Sequence, residues 1–349
     1  MIIDADFAGG NVKVVKVTEN EAWLEPDLSD TSEKWFYFNF RVRGAAGKTV
    51  TFHMGGVPYG YVSPFGPSVS LDGEHYAFYP DRIKRDPYTF EYAFGADENE
   101  KYFAFSLPYT SKRFYEFAAE NGFEPFEFTR SEQGRVVPAL RFGEGEETIL
   151  FTCRHHCCES VASYVLEGVL KEIRALPIAK KFAFLVVPMM DIDGVENGDQ
   201  GKNRIPHDHN RDYCEENSIY ASVRAVKRAV EEEKLRAFAD FHDPWNYGGE
   251  NDNVQFVYGK NPDPDLDRLA SILERLTAGD KLAFYTKNVV PLGERWNRPS
   301  PNVKDYCIKH GAEISVSIET PYFGLVAPTE DDFRVLGKKI ARAFDEYFG

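Results

Sequence analysis

The first 110 residues alternate between apolar and polar positions in short runs, which is the pattern of half-buried β-strands. Clusters of Gly, Pro, Asp and Asn separate these runs and are typical of turns. The runs are "KVVKV", "KWFYFNFRV", "KTVTFHM", "TFEYAF" and "KYFAFSL". Short strands at this spacing predict a β-sandwich or a small barrel.

The pattern changes after "LPYT", where a helical segment, "SKRFYEFAAEN", precedes very apolar strands that alternate with longer helical patterns. The strands are "TILFTC", "KFAFLVVP", "LRAFADF", "VQFVYG" and "AEISVSIE", and the helices include "ESVASYVLEGVLKEIRAL" and "NSIYASVRAVKRAVEEEK". This alternation predicts a mixed, mostly parallel sheet between helices. We therefore expect an α/β protein with a β-sandwich domain over residues 1–112 and an α/β/α domain over residues 113–349.

Composition and charge narrow the classes of partner. The 41 basic and 56 acidic residues give a formal net charge of −15, which repels nucleic acid and anionic lipid. No run of 18 apolar residues occurs, and the first residues lack the features of a signal peptide. Three of the five cysteines crowd residues 153–158, which favours a reducing compartment. We expect a cytoplasmic protein that binds neither nucleic acid nor membrane.

Candidate metal chemistry is concentrated in "FTCRHHCCES", residues 151–160, at the carboxyl end of a predicted strand. Ligands of α/β sheets bind beyond such strand ends. A four-cysteine zinc site is disfavoured because no second pair of closely spaced cysteines exists. The alternative is a His and Glu pair, formed by Glu159 with either His156 or His155.

His242 is the candidate third ligand, because it ends another apolar strand in "LRAFADFH". Two His and one Glu with a further position open to water form a catalytic zinc site rather than a structural one. Glu319 is a lone carboxylate at the end of a third apolar strand, where loss of hydration would raise its pKa toward the value that a general base needs.

The chain resembles the M14 zinc carboxypeptidases, and in particular the cytosolic carboxypeptidase branch, in which a β-sandwich precedes the catalytic domain. The segments that carry the resemblance occur in the family's order along nearly the whole chain. They are "EKWFYFNFRVRG", "YFAFSLPYT", "RHHCCES", "PMMDIDGV", "DHNRDY", "ADFHDP" and "SIETPYFG". No single segment is decisive, whereas the ordered set is specific.

The resemblance implies a role for individual residues. It favours His156 over His155 and implies that His156, Glu159 and His242 bind one zinc ion. Glu319 would be the general base that deprotonates the zinc-bound water.

The same resemblance implies a substrate clamp in "DHNRDY". Asn210 and Arg211 would bind the terminal carboxylate of the substrate, since a guanidinium meets a carboxylate through two donors at once. Asp208 would orient a zinc-binding His from behind.

The chain also departs from the family. The family's "HPGE" is "HCCE" here, and its "NPDG" is "DIDG". The family Arg that polarises the scissile carbonyl falls on Gly201 in an alignment without gaps. Lys202 or Arg204 could supply the cation instead, and Arg204 is the better electrostatic candidate. For the family's active-site Tyr the candidates are Tyr258, Tyr285 and Tyr322.

We therefore predict a zinc metallocarboxypeptidase that hydrolyses the C-terminal peptide or isopeptide bond of a peptide with a free carboxylate. An amidohydrolase acting on peptidoglycan fragments or N-acyl amino acids would use the same metal ligands. Because Gly201 stands where a cation is expected, a non-catalytic protein that binds peptide ends is the alternative from another class.

Overall fold

The computed structural model describes residues 1–214 and 217–349. Ten short strands between residues 2 and 104 form two five-stranded sheets. The strands are β1 (Ile2–Asp4), β2 (Lys13–Val17), β3 (Glu21–Glu25), β4 (Asn39–Arg43), β5 (Thr49–Met54), β6 (Ser68–Ser70), β7 (Tyr76–Phe78), β8 (Ile83–Asp86), β9 (Thr89–Ala93) and β10 (Glu100–Ala104). One sheet has the order β1-β4-β10-β6-β7 and the other β2-β3-β5-β9-β8.

Aromatic side chains hold these two sheets together. Phe40 and Phe103 from one sheet meet Phe52 and Phe90 from the other, with ring centroids 5.4 to 5.7 Å apart across the interface. All four side chains are buried, because alternation along each strand directs one face inward. The aromatic stretch "WFYFNF" therefore contributes mainly core residues, as its pattern predicts.

The second part of the chain forms one eight-stranded sheet with the order β11-β12-β14-β13-β15-β18-β16-β17. Its strands are β11 (Phe126–Arg130), β12 (Val136–Gly143), β13 (Glu147–Cys153), β14 (Phe182–Val187), β15 (Leu235–His242), β16 (Val254–Tyr258), β17 (Phe284–Val290) and β18 (Ile314–Glu319). The central strands β14, β13, β15 and β18 run parallel, while the pairs β11/β12, β12/β14 and β16/β18 are antiparallel.

Eight helices among the described residues accompany this sheet. They are α1 (Ser111–Glu120), α2 (Val161–Ile173), α3 (Ile178–Lys181), α4 (Ile192–Asn197), α5 (Ala221–Glu232), α6 (Pro264–Thr277), α7 (Val303–Lys309) and α8 (Glu330–Phe348). The predicted fold class, a β-sandwich followed by a mixed and mostly parallel α/β domain, is confirmed. The boundary between residues 112 and 113 stays a prediction, and it falls within α1.

Two parts of the sheet differ from the sequence pattern. The hairpin β11/β12 and the edge strand β17 were not expected. Strands β11 and β17 contain several polar residues, and the apolar run of β12 is interrupted by Pro138, a residue that is unusual within a strand. The run "KWFYFNFRV" is a strand only from Asn39, because residues before it leave the sheet toward the second domain. None of the helices in the described parts of the chain is both long and apolar enough for a membrane span.

Helices α2 and α8 approach each other at two glycines. A methyl group on Gly168 would lie 2.1 Å from the carbonyl oxygen of Arg334, and one on Gly337 would lie 2.0 Å from that of Val165. These contacts involve backbone atoms, which cannot rotate away as a side chain does. The pair of glycines therefore fixes the distance between the two helices that cover the central strands.

We expect Gly168→Ala to destabilise the protein. Alanine gains about 1 kcal/mol of helix propensity, but forced overlap in a packed interior typically costs about 1–3 kcal/mol. Because the overlap is with backbone atoms, its cost lies at the upper end of this range. The free energy of unfolding, measured by urea denaturation, should therefore fall by about 1–2 kcal/mol.

The matched control is Lys171→Ala, on the exposed face of the same helix, which should change the free energy of unfolding by less than about 0.5 kcal/mol. If Gly168→Ala is as stable as the unchanged protein, the close helix contact does not constrain the fold.

Candidate metal and active site

The site begins with the register of three adjacent parallel strands. Cys153 at the end of β13 lies opposite Phe241 of β15, and His242 at the end of β15 lies opposite Glu319 at the end of β18. Three chain segments that are far apart in sequence therefore deliver polar side chains to one edge of the sheet. This is the edge at which α/β proteins bind ligands.

The turn between β13 and α2 is held in shape by a buried arginine. Arg154 has a positive φ of 62°, and its guanidinium donates to the carbonyl oxygen of Tyr109 at 2.9 Å and to that of Cys157. A non-glycine residue in this backbone region is strained and persists only where its surroundings hold it. The anchored turn projects His156 and Glu159 over the end of the sheet.

His156, Glu159 and His242 converge on one point. The Nδ1 atom of His156 lies 2.8 Å from one carboxylate oxygen of Glu159, and Nδ1 of His242 lies 2.6 Å from the other. One ligand atom from each residue lies within 4.8 Å of the other two, and all three side chains are buried. The structure thus brings together the three residues predicted as ligands.

Carboxylates behind the two histidines fix which nitrogen points inward. Nε2 of His242 lies 2.5 Å from Asp240, and Nε2 of His156 lies 3.6 Å from Asp208. A carboxylate on the outer nitrogen orients a metal-binding imidazole and makes the inner nitrogen a better donor. Asp240 was missed in the sequence, although its position two residues before His242 places it on the same side of the strand.

His155, the rival ligand, lies one layer behind the trio. Both of its ring nitrogens are taken, Nδ1 by Asp240 at 2.9 Å and Nε2 by the hydroxyl of Tyr213 at 2.9 Å. His155, Asp240 and His242 also satisfy the spacing of a metal site. Because Asp240 additionally accepts from the hydroxyl of Thr152 at 2.7 Å, this group is better described as a buried hydrogen-bond network that supports His242.

The trio concentrates charge in a dry environment. Burial opposes the charged form of Glu159, but the positive charges of His156, Lys202 and His242 outweigh it and hold the pKa of Glu159 well below its ordinary range. Burial likewise opposes the imidazolium of His242, but Asp240 and Glu159 raise its pKa well above the usual value. The site therefore stabilises the negative charge of Glu159 with surrounding positive charge, and a bound metal ion would stabilise it in the same way.

A zinc ion fits these residues. Two imidazole nitrogens and one carboxylate are a donor set that zinc prefers, and a trio that leaves one side open to a cavity is typical of a catalytic site. The paired carboxylate on each outer nitrogen adds the orientation that such ligands need. His156, Glu159 and His242 would hold the ion.

Glu319 faces the trio from the end of β18. Burial raises the pKa of Glu319 to about 7, and the charge of Glu159 adds to the rise, while His242 and Lys202 oppose it. A carboxyl group with a pKa near neutrality can both accept and return a proton at neutral pH. This environment agrees with the desolvation expected from the sequence.

The two candidate cations after Gly201 have different surroundings. Arg204 is bound by two aspartates, with its Nη2 atom 2.7 Å from Asp191 and 3.0 Å from Asp199. Lys202 instead places its Nζ atom 2.6 Å from Glu159 and is almost fully buried. From the sequence, Arg204 was preferred to Lys202 on charge alone. The geometry favours Lys202, because Lys202 contacts Glu159 of the trio whereas Arg204 is bound by aspartates.

Asn210 and Arg211 lie in a single 3₁₀ turn beside the trio. Asp208 caps this turn by accepting from the backbone N–H of Arg211 at 3.1 Å, so the residue behind His156 also positions the predicted clamp. Arg211 is exposed, and Asn210 is 8% exposed. Within the described residues the amide oxygen of Asn210 is buried without a hydrogen-bond partner, so it can accept from a donor group of a bound ligand.

A cavity of about 720 Å³ connects these groups. Its lining includes His156, Glu159, His242, Glu319, Lys202, Arg204, Asn210 and Arg211. Three of the four tryptophans of the chain also line it, namely Trp35, Trp245 and Trp296. Lys304, which sequence reasoning missed, lines it as well and is 3% exposed. No local pattern marks Lys304, because it lies within an ordinary amphipathic helix.

The three candidate tyrosines lie outside the cavity lining. Tyr258 donates to Asp267 at 3.2 Å, and Tyr322 is buried against Phe36 and Phe105. Tyr285 lies on the edge strand β17 and is 44% exposed. Tyr322 is nevertheless near the trio, since burial raises the pKa of its hydroxyl well above the usual value and the charge of Glu159 adds to the rise.

Comparison with known proteins supports the resemblance seen in the sequence. Residues 3–106 match the family described as the cytosolic carboxypeptidase N-terminal domain. An uncharacterized protein of Zymomonas mobilis is 26% identical over 81% of this chain and 77% of its own length. Cytosolic carboxypeptidase 6 of Caenorhabditis elegans is 24% identical over 66% of this chain, which spans 58% of that relative.

Solved structures extend the likeness to the whole fold. The metallo-carboxypeptidase of Burkholderia cenocepacia superposes with a TM-score of 0.82, at 18% identity, over 99% of this chain and 98% of its own. The predicted resemblance to the cytosolic carboxypeptidase branch is confirmed. The relative from Caenorhabditis elegans is named a carboxypeptidase and the solved structure a metallo-carboxypeptidase, and carboxypeptidases are hydrolases.

We expect Asp240→Asn to weaken zinc binding. The carboxylate of Asp240 contacts His155 with one oxygen and His242 with the other, whereas the amide of asparagine has a single acceptor oxygen. The inner nitrogen of His242 therefore loses orientation and basicity. Such changes behind a ligand typically lower metal affinity 10–100-fold, and titration against a competing chelator measures this. Asp97→Asn, on the exposed surface of the sandwich, is the control. Unchanged affinity in Asp240→Asn would contradict the supporting role of Asp240.

Proposed function

We propose that this chain, which resembles the cytosolic carboxypeptidases and has a metallocarboxypeptidase fold, is a zinc-dependent metallocarboxypeptidase that hydrolyses the C-terminal peptide or isopeptide bond of its substrate. The observation that carries the proposal is the convergence of His156, Glu159 and His242 on one point beside Glu319, in an open cavity. Their separate positions in the sequence make a chance convergence of this donor set improbable.

A zinc ion held by the trio would lower the pKa of a water molecule and polarise the scissile carbonyl. Glu319 accepts a proton from the attacking water as the water oxygen bonds to the carbonyl carbon. The carboxyl group then gives that proton to the amide nitrogen as the C–N bond breaks, which restores the Glu319 carboxylate and releases an amine. A pKa of about 7 suits both transfers.

The terminal carboxylate of the substrate would be bound by Asn210 and Arg211. Arg211 supplies a charge and paired donors, and Asn210 lines the same cavity, where its side-chain NH₂ group can donate to a carboxylate oxygen. Since these residues lie beside the metal ligands, a bound carboxylate is held one residue away from the bond to be cut. This arrangement supports an exopeptidase rather than an endopeptidase.

Lys304 supports a preference for an acidic terminal side chain. Burial lowers the pKa of this lysine, and Asp305, 3.1 Å from its Nζ atom, offsets the effect only in part. A carboxylate on the substrate side chain would complete the compensation of this ammonium group. The net charge of −15 makes such local cations necessary for any acidic substrate.

The alternatives differ in the group that they recognise. Amidohydrolases of peptidoglycan fragments or N-acyl amino acids would use the same donor set, so turnover of peptides, muropeptides and N-acyl amino acids must be compared directly. A non-catalytic binder was suggested by Gly201, but a buried ammonium group, that of Lys202, lies at the site. The names of the relatives support a cytoplasmic location.

Glu319→Gln tests the proposed general base. The amide cannot accept a proton, so kcat on a C-terminal peptide should fall about 10²–10⁴-fold while zinc stays bound. In the unchanged enzyme kcat/KM should decrease as pH falls through the pKa of Glu319, because the protonated carboxyl group is inactive. That pKa is about 7 without a metal, and a bound cation moves the decrease to lower pH.

Glu232→Gln on the exposed face of α5 is the matched control and should leave kcat unchanged. Zinc content is measured in both variants. If Glu319→Gln retains the activity of the unchanged enzyme at equal zinc content, Glu319 is not the base.

Lys304→Met tests the preference for acidic side chains. Loss of a hydrogen bond to a charged group costs about 1.5–3 kcal/mol, so kcat/KM for a peptide ending in Glu should fall about 10–100-fold. A peptide ending in Leu should be cleaved no more slowly than before, because it does not use the ammonium group. Lys338→Met on α8 is the control, and an equal loss for both peptides would argue against a role in specificity.

A further inference from the structure

We infer that Lys202 is the catalytic cation that stabilises the negative charge on the scissile carbonyl oxygen, and that the N-terminal β-sandwich positions it through Trp35 and Asp30. This inference rests on the proposed function. Lys202, the residue after Gly201 in the same loop, takes the electrostatic role that Gly201 cannot perform because glycine has no side chain. The sandwich domain is thereby also a structural part of the active site.

Gly201 explains why the cation comes from the next residue. Its φ of 75° lies in the left-handed region, and a Cβ atom at this position would lie 2.5 Å from the backbone nitrogen of Cys157. The loop can therefore press against the turn that bears His156 only with glycine here. Because the loop is in contact with that turn, the following residue, Lys202, reaches Glu159.

The sandwich domain holds this loop by its backbone. The carboxylate of Asp30 accepts from the N–H of Gln200 at 3.0 Å and from that of Gly201 at 2.9 Å. Ser32 donates its hydroxyl to the carbonyl oxygen of Asn203 at 2.8 Å. The residues on both sides of Lys202 are thus attached to the other domain, which limits where its side chain can go.

Trp35 then directs the side chain itself. The Nζ atom of Lys202 lies 4.8 Å from the centre of the Trp35 ring on one side and 2.6 Å from Glu159 on the other. An ammonium ion over an indole face is attracted by the ring, more strongly where water is excluded. Tryptophan and carboxylate together fix a buried positive charge at the wall of the cavity.

The other basic side chains of the cavity have different positions. Among the described residues four Lys or Arg side chains line it, namely Lys202, Arg204, Arg211 and Lys304. The guanidinium of Arg204 is held by Asp191 and Asp199. Lys304 is bonded to Asp305 and to the carbonyl oxygen of Tyr258. Of these four described side chains, Lys202 is the one that contacts the trio, at Glu159.

This position gives Lys202 a chemical role. Its Nζ atom lies 2.6 Å from the carboxylate of Glu159. One ligand atom of Glu159 lies within 4.8 Å of a ligand atom of each histidine. Lys202 can therefore reach a carbonyl oxygen bound beside the trio. The charge on that oxygen grows as the attacking water adds to the carbonyl carbon. A fixed donor aimed at developing charge in a site with little water is worth about 10²–10³ in rate.

The experiment compares Lys202→Met and Lys202→Arg with the unchanged full-length protein at saturating zinc. In Lys202→Met we expect kcat to fall about 10²–10³-fold, with KM changed by less than about threefold and with equal zinc content. Lys202→Arg should recover at least about tenfold of the loss, since it restores a cation. The affinity for a phosphinic dipeptide analogue, which carries a tetrahedral anionic centre, should fall in parallel with kcat in Lys202→Met.

Three results would overturn the assignment. These are a kcat of Lys202→Met within threefold of the unchanged enzyme, a loss of kcat that only matches a loss of zinc content, and an unaltered affinity for the phosphinic analogue. The second result would mean that Lys202 only supports metal binding through Glu159. A zinc-loaded unchanged protein that cleaves none of the C-terminal substrates would instead overturn the proposed function, and the analogue measurement still decides whether Lys202 faces a tetrahedral anion.

Trp35→Leu tests the positioning by the sandwich domain. Loss of the ring contact should lower kcat about 3- to 30-fold at unchanged KM and zinc content, in line with the strength of a desolvated cation–π contact. Trp23→Leu is a matched control. The ring of Trp23 also contacts a lysine, with the Nζ atom of Lys16 4.5 Å from the ring centre, but Trp23 lies on β3 and does not line the cavity. Equal kcat values in the two variants would contradict the positioning role.

Discussion

The parallel register of β13, β15 and β18 is the constraint on which the site depends. Because His242 lies opposite Glu319 and Cys153 lies opposite Phe241, the ends of three strands coincide at one edge of the sheet. A shift of one residue would turn each side chain to the other face. The apolar interiors of these strands, which are buried on both sides, therefore fix the relative positions of the polar residues at their ends.

Charge at this edge is stabilised in layers. Glu159 is surrounded by His156, His242 and Lys202, and the histidines are in turn held by Asp208 and Asp240. Removal of one member from such a buried network leaves an uncompensated charge, which costs more than the contact itself contributes. Function and stability are thus coupled at this site, and its residues cannot vary independently.

Much of the site could be predicted from the sequence because the relevant signals are local. Ligand types at the ends of apolar strands indicated Glu159, His242 and Glu319 and left His155 and His156 as alternatives, between which the family resemblance decided. The order of the elements predicted the fold class. Sequence reasoning preferred Arg204 to Lys202 on charge alone, since the contacts that distinguish the two side chains, with Asp191, Asp199 and the sandwich domain, are not visible in the sequence. Contacts of that kind join distant positions, such as Ser32 and Asn203, which are 171 residues apart.

The electrostatics of the cavity oppose those of the molecule as a whole. A net charge of −15 repels an anionic peptide end, whereas Lys202, Arg211 and Lys304 would attract a peptide end that had entered the cavity. At physiological ionic strength the Debye length is about 8 Å, so the long-range repulsion is largely screened while contacts within the cavity are not. Discrimination must then occur at short range, after the peptide end has entered. A site that recognises a terminal carboxylate by contact rather than by attraction at a distance can reject internal peptide segments, because these carry no charge for Arg211 to bind.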